Sequence, residues 1–192
     1  NNYMKPSLKV DIPEAYIIPK AWSNITTLMT ANGIIVHTLK RDTTLIVTSY
    51  KIKNYATKQQ VYEGHYLHSK VAIESHQDSI HFHKGDFLIK TNQYGLRYIL
   101  ETLEPQAPDS FFNWNFFDTI LQQKEGFSPY VWEDKAAQIL ARDPKLKLDF
   151  VTKKNNDSTF ANNWYAQLDW LHKRSDHYEK AHLQYPVYRV ER

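Results

Sequence analysis

The apolar residues of this chain change their spacing about halfway along it. Before residue 90, residues 69–74 and 80–83 alternate apolar with polar side chains, residues 43–52 are rich in β-branched side chains, and residues 34–39 are also predicted to form a strand. A spacing of two is typical of β-strands that bury one face. From residue 93 onward, apolar residues recur every three or four positions, which is typical of amphipathic helices. The chain is therefore predicted to be α+β, with a mostly antiparallel sheet in the first half and helices from the second half packed on it.

Turn and capping residues predict where these elements begin and end. Ser23 is expected to cap a helix that ends at Asn32-Gly33, and the polar residues 75–79 are expected to form a hairpin turn. Asp143-Pro144 predicts a helix start, and Ser158 is expected to cap a later helix. Residues 185–190 alternate again and are expected to add an edge strand. Since no repeat or long linker separates these elements, one domain is predicted.

The composition excludes several classes of protein. The chain has no cysteine, which excludes disulfides, thiolate metal sites and cysteine nucleophiles, so histidines, carboxylates and hydroxyls must carry any chemistry. Its five glycines are scattered and form no phosphate-binding loop. A net charge of +3 with interspersed acids does not predict nucleic-acid binding, and the lack of an apolar run of about 20 residues predicts no transmembrane segment. Because position 1 is not methionine, we expect a fragment of a longer chain.

Two histidines could bind a metal ion. His81 and His83 are two positions apart on a predicted strand, which places both imidazoles on one face, as in strand-borne zinc sites. A third ligand could come from His65 or Asp86. The same alternation arises on any solvated sheet face, and this second interpretation is favoured. A stand-alone metal-dependent hydrolase that uses His81 and His83 is therefore kept as an alternative function.

Carboxylates and aromatic residues lie close together between residues 101 and 121. Glu101, Glu104 and Asp109 precede a dense aromatic run, an arrangement that could serve glycoside chemistry. Because acidic side chains are rarely buried, we expect Glu101 and Glu104 to be solvated and Asp109 to cap the next element. A glycan- or peptidoglycan-binding module is a further alternative, with stacking platforms at Trp114, Trp132 or Trp164.

Seven short phrases occur in a familiar order. They are Ala-Tyr-Ile-Ile-Pro at 15–19, Asn-Gly-Ile at 32–34, Tyr-Glu-Gly-His at 62–65, Gly-Asp-Phe-Leu-Ile at 85–89, Leu-Glu-Pro-Gln-Ala-Pro-Asp-Ser at 103–110, Trp-Asn-Phe-Phe at 114–117 and Tyr-Val-Trp-Glu at 130–133. Together they resemble the region that follows the catalytic domain in a subset of bacterial zinc carboxypeptidases of the carboxypeptidase A superfamily. The resemblance covers about residues 14–150.

The resemblance implies a non-catalytic role. The zinc ligands and general base of that family belong to its catalytic domain, and their HxxE motif is absent here, so no catalytic, cofactor-binding or metal-binding residue is assigned. Residues 1–192 are expected to form a single accessory domain, the C-terminal fragment of a secreted, periplasmic or cell-envelope metallopeptidase. Zinc is expected in the parent catalytic domain, and the expected partner is the N-terminal peptidase domain of the same parent chain. Contacts with that domain are expected at Asp109, Trp114, Phe116 and Phe117.

Overall fold

The computed structural model describes residues 8–123 and 126–191. Contacts among these residues group into two compact units. Unit 1 covers the described chain up to Gln122 and again from Leu183, and unit 2 covers the described part of Gln123–His182. Two contact units can still unfold as one cooperative domain, so the single accessory domain over residues 1–192 stays a prediction.

Unit 1 is built on a six-stranded antiparallel sheet. The spatial order of the strands is β2-β5-β1-β6-β3-β4. Their bounds are β1 Ala15–Ile18, β2 His37–Thr38, β3 Thr43–Thr57, β4 His68–Phe82, β5 Phe87–Lys90 and β6 Tyr188–Val190. The α+β class with an antiparallel sheet in the first half is confirmed.

Strands β3 and β4 form a long hairpin. Each has fifteen residues, and the ladder runs from Thr43 opposite Phe82 to Thr57 opposite His68. The hairpin turn predicted at residues 75–79 is wrong, because these residues continue β4. Their polar side chains are accommodated by the partner strand, where the Ser49 hydroxyl donates to the carboxylate of Asp78. Cross-strand pairing thus overrides the turn-like composition.

Strand β6 lies inside the sheet, so its predicted position at an edge is wrong. Tyr188, Arg189 and Val190 pair with β1, and Arg189 also pairs with Thr48 of β3. Strand β6 can occupy this interior position because the buried carboxylate of Glu104 neutralises the charge of the buried Arg189.

The helices divide between the units. Unit 1 contains α1 Ser23–Ala31 and α2 Leu96–Leu103, and unit 2 contains α3 Pro129–Arg142, α4 Pro144–Asn156, α5 Ser158–Ala161 and α6 Trp164–His172. Asp143 caps α4 as predicted, accepting from the Leu146 amide at 2.9 Å. Ser23 and Ser158 are first residues of helices rather than caps. The α5 cap is Asp157, whose longer side chain reaches the Phe160 amide at 2.9 Å.

Each unit has its own hydrophobic core. In unit 1, Ile18, Ile52 and Ile89 of the sheet pack with α1, α2 and the aromatic run, while Ile17, Val47 and Phe82 form a smaller cluster. In unit 2, the core contains Trp132, Ala136, Leu168 and Leu171. None of the helices in residues 8–123 and 126–191 has both the length and the apolar character needed to cross a membrane.

Candidate functional site

Two histidines and an aspartate lie close together at the open end of the β3–β4 hairpin, away from the loop that joins Thr57 to His68. Since Thr43 pairs with Phe82, the preceding Asp42 faces His83 just beyond the ladder, and His81 is the diagonal neighbour. Nε2 of His81 lies 3.8 Å from Oδ2 of Asp42, and Nδ1 of His83 lies 3.9 Å from the same oxygen. All three side chains are exposed, and their potential ligand atoms lie within 4.8 Å of one another. This geometry could hold a metal ion.

The atoms of this cluster that face away from its centre have partners of their own. The Lys84 amide donates to Oδ1 of Asp42 at 2.7 Å, and Oγ1 of Thr44 lies 3.1 Å from Nδ1 of His81. The Lys84 hydrogen bond, helped by the neighbouring His83 and His81, lowers the pKa of the Asp42 carboxyl. Asp42 is therefore ionised at neutral pH.

Asp86, one of the two predicted third ligands, has a different role. Its carboxylate is buried and accepts from the amides of His83 at 2.7 Å and Lys20 at 2.9 Å. It therefore fixes the turn that follows β4 and leaves the position of third ligand to Asp42.

His65, the other predicted third ligand, does not join His81 and His83. It precedes the start of β4, whereas His81 lies near the opposite end of that fifteen-residue strand, a length on the order of 45 Å. The neighbouring His68 is buried, with Nδ1 2.9 Å from Thr57 Oγ1 and Nε2 3.0 Å from Asp118 Oδ1. His65 and His68 thus lie at one end of the hairpin, and His81 and His83 lie at the other.

Around His65, several rings form a partly exposed surface, here called the aromatic surface and defined by Tyr62, His65, Tyr66, Trp114 and Phe116. The imidazole of His65 packs edge-on against Trp114, with ring centroids 5.5 Å apart, and stacks on Phe116 at 6.0 Å. Tyr62 and Tyr66 are 53% and 54% exposed. Exposed aromatic area of this kind is typical of protein–protein contacts.

A tight turn positions the aromatic surface. Tyr62 and His65 exchange backbone hydrogen bonds of 2.8 and 2.9 Å across Glu63-Gly64. Both central residues have positive φ, 49° and 81°, which is the geometry of a type I′ turn. The phrase Tyr-Glu-Gly-His is therefore a turn that places two rings beside the aromatic run.

The residues expected to contact a peptidase domain have different environments. Trp114 and Phe116 are half-buried members of the aromatic surface, and Asp109 is exposed in a turn. Phe117 is fully buried in the core of unit 1, edge-on to Trp22 at 4.9 Å and to Tyr185 at 5.1 Å. It therefore presents no surface to another domain.

Of the tryptophans considered as glycan platforms, Trp132 is unsuitable. It is 3% exposed, and its Nε1 donates to the Leu168 carbonyl at 3.1 Å. The Trp132 ring is therefore part of the unit 2 core and cannot stack on a sugar. The other two tryptophans are accessible, since Trp164 is 59% exposed and Trp114 is half-buried.

A buried polar network lies in unit 1. Glu104, predicted to be solvated, is 4% exposed, and its Oε1 lies 3.0 Å from Nη1 of Arg189. The Tyr16 hydroxyl donates to the same carboxylate, and Nη1 of Arg189 donates to the Tyr50 hydroxyl at 2.6 Å. Burial raises the pKa of Glu104, opposed by the Tyr16 hydrogen bond and the Arg189 charge, and raises the pKa of Tyr50 to about 12. These hydrogen bonds and the Glu104–Arg189 ion pair connect strands β1, β3 and β6 to the loop after α2.

Sequence reasoning missed Asp42 and Arg189. Asp42 could have been found only from the strand register, which follows once β3 and β4 are recognised as one uninterrupted hairpin. Arg189 lies 85 positions from its partner Glu104, and no local pattern marks that pair.

The protein-family models and the solved structures compared with this chain contain no match. Among curated proteins, the chain is similar to Carboxypeptidase 2 of the fungus Trichophyton rubrum, with 28% identity over 107 residues. Part of this chain is therefore similar to part of a carboxypeptidase. The matched part is 56% of the chain and 20% of the fungal protein, so the chain spans about a fifth of the length of that relative.

Proposed function

We propose that this chain is a non-catalytic C-terminal accessory domain of a zinc-dependent, carboxypeptidase-like metallopeptidase. The observation that carries the proposal is the similarity to Carboxypeptidase 2 over only a fifth of that protein's length. No histidine of the 192 residues is followed three positions later by glutamate, so these residues do not contain the zinc-binding motif of the carboxypeptidase A superfamily. The reaction is therefore assigned to a separate catalytic domain, in a secreted, periplasmic or cell-envelope parent protein.

The aromatic surface supports a contact with that catalytic domain. The exposed ring of Tyr62 lies 6.1 Å from the half-buried ring of Trp114, and His65 packs against both Trp114 and Phe116. Tyr66, the next residue after His65, is 54% exposed, and water contact is unfavourable for apolar area of this kind. Aromatic side chains are enriched in protein interfaces because each buries a large area. The N-terminal peptidase domain of the parent chain is the proposed occupant of this surface, and the accessory domain would support its fold.

The first test is the coding sequence upstream of residue 1. The proposal expects an open reading frame that encodes a peptidase domain with an HxxE motif. Its absence would contradict the proposal.

The second test uses the full parent chain with paired substitutions. Tyr62→Ser/Tyr66→Ser removes the two exposed rings of the aromatic surface, and Tyr94→Ser/Tyr130→Ser removes two tyrosines that are 98% and 88% exposed elsewhere. We expect the first pair to lower the Tm of the peptidase domain and the rate of C-terminal residue release, and the control pair to leave both unchanged. Equal behaviour of the two pairs would show that the aromatic surface does not support the catalytic domain.

A further inference from the structure

We propose that Asp42, His81 and His83 form a binding site for one zinc ion at the end of the β3–β4 hairpin. This inference does not rest on the proposed function, because the site is separate from the aromatic surface and uses none of the superfamily's catalytic motifs. It replaces the third ligands considered from the sequence, His65 and Asp86, with Asp42.

The distances suit a tetrahedral ion once the three exposed side chains rotate toward one another. Zinc binds nitrogen and carboxylate oxygen at about 2.0–2.2 Å, so neighbouring ligand atoms of a tetrahedral site lie about 3.3 Å apart. The two nitrogen-to-oxygen separations here are 3.8 and 3.9 Å, and all three ligand atoms lie within 4.8 Å of one another, so they must move closer by up to about 1.5 Å. The three side chains are 55–61% exposed, so rotation about their torsions can close the difference without repacking the core.

The surrounding groups already orient the donor atoms. Thr44 engages Nδ1 of His81, which leaves Nε2 for a metal, and the Lys84 amide engages Oδ1 of Asp42, which leaves Oδ2. Such contacts to the non-ligating atoms are typical around metal ligands, where they fix the imidazole tautomer and the ring orientation. Asp86 holds the backbone of His83, so each of the three ligands has a local constraint.

The donor set favours zinc over the alkaline-earth ions. Calcium and magnesium are bound through oxygen atoms, whereas two imidazoles and one carboxylate suit zinc and its transition-metal neighbours. Three protein ligands leave the fourth tetrahedral position to water or to a donor from another molecule. The neighbouring side chains of Arg41 and Lys84 are positively charged and repel a cation. The affinity for zinc must therefore come from the three ligands and not from the local electrostatic field.

Zinc titration of the untagged chain by isothermal calorimetry tests the site. We expect one zinc ion per chain, and binding at least about tenfold weaker in each of Asp42→Asn, His81→Ala and His83→Ala. The matched control is His76→Ala, which removes another exposed histidine of β4 that lies 3.7 Å from Glu74. Circular dichroism establishes that each variant is folded. Absence of zinc binding, or an equal loss in His76→Ala, would overturn the proposal.

Two further measurements separate direct ligation from an indirect effect. Cobalt bound in place of zinc should give the intense visible absorption of a four-coordinate site, and His83→Ala should abolish it. Thr44→Val keeps all three ligands but loses the contact to His81, and we expect zinc binding to weaken about tenfold. A cobalt spectrum typical of the hydrated ion, or an unchanged affinity in Thr44→Val, would overturn the proposed geometry.

Discussion

Arg189 is the residue on which the polar interior of unit 1 depends. Its guanidinium contacts Glu104, the Tyr50 hydroxyl and the Asp11 carbonyl, and it is 5% exposed. Arg189→Met would leave a buried carboxylate without its counter-charge. We expect the free energy of unfolding to fall by about 3–5 kcal/mol, measured by urea denaturation. Adding Glu104→Leu should recover much of this loss because both charges are then gone, and a loss below about 1 kcal/mol in the single variant would contradict this account.

Glu104 also makes the stability depend on pH. Because its pKa is raised above 4.5 in the folded protein, the folded state holds this proton more tightly than the unfolded state. The stabilisation from this group is complete below the unfolded pKa and is lost as pH rises through the folded pKa. Glu104→Gln cannot titrate, so we expect the unfolding free energy of the wild type, relative to this variant, to decrease between about pH 4 and pH 7. If this difference in unfolding free energy, measured by urea denaturation, instead increases over that range, the stabilisation of the charged Glu104 by Arg189 exceeds the cost of burying it.

At the scale of elements, the sequence predicts strand and helix content better than strand pairing. The alternation predicted for β3 is confirmed from Thr44 to Ser49, where Val47 and Ser49 are buried and Thr44 and Ile46 are exposed. It does not extend to Tyr50, which shares a face with Ile46 and is buried in the main core of unit 1. The continuous β4 was missed because residues 75–79 have turn composition, and only pairing with β3 reveals them as a strand. The interior position of β6 depends on Glu104, a partner far away in the chain.

The turn that carries the aromatic surface depends on a backbone conformation that favours glycine. A Cβ at Gly64 would have no atom within 4 Å, so its positive φ of 81° is the only obstacle to a side chain. We therefore expect Gly64→Ala to cost about 1–2 kcal/mol of stability through backbone strain alone. Gly126→Ala is the matched control, because that position is equally open and has no positive φ in the left-handed range. Thermal denaturation showing equal losses in both variants would contradict this explanation.

At the scale of the whole molecule, the candidate metal site was only half predictable. The spacing of His81 and His83 indicates a shared face, but the third ligand follows from the register that places Asp42 opposite His83. The division into two units was not predicted either. No change in composition marks residue 123, and the boundary becomes visible only when long-range contacts are known.

The two cores make a prediction about cooperativity. Trp132→Ala opens a cavity in the core of unit 2, and Phe117→Ala opens one in the core of unit 1, each at a cost of about 3–5 kcal/mol. If the units unfold separately, hydrogen exchange measured by mass spectrometry should accelerate in α3 and α6 for Trp132→Ala, and in β1 and β3 for Phe117→Ala. If each variant instead accelerates exchange in both units, the chain unfolds as one domain over residues 1–192, as its sequence predicts. The single domain would then be defined by cooperativity and not by contact density, because separate cores can be coupled through the chain that connects them.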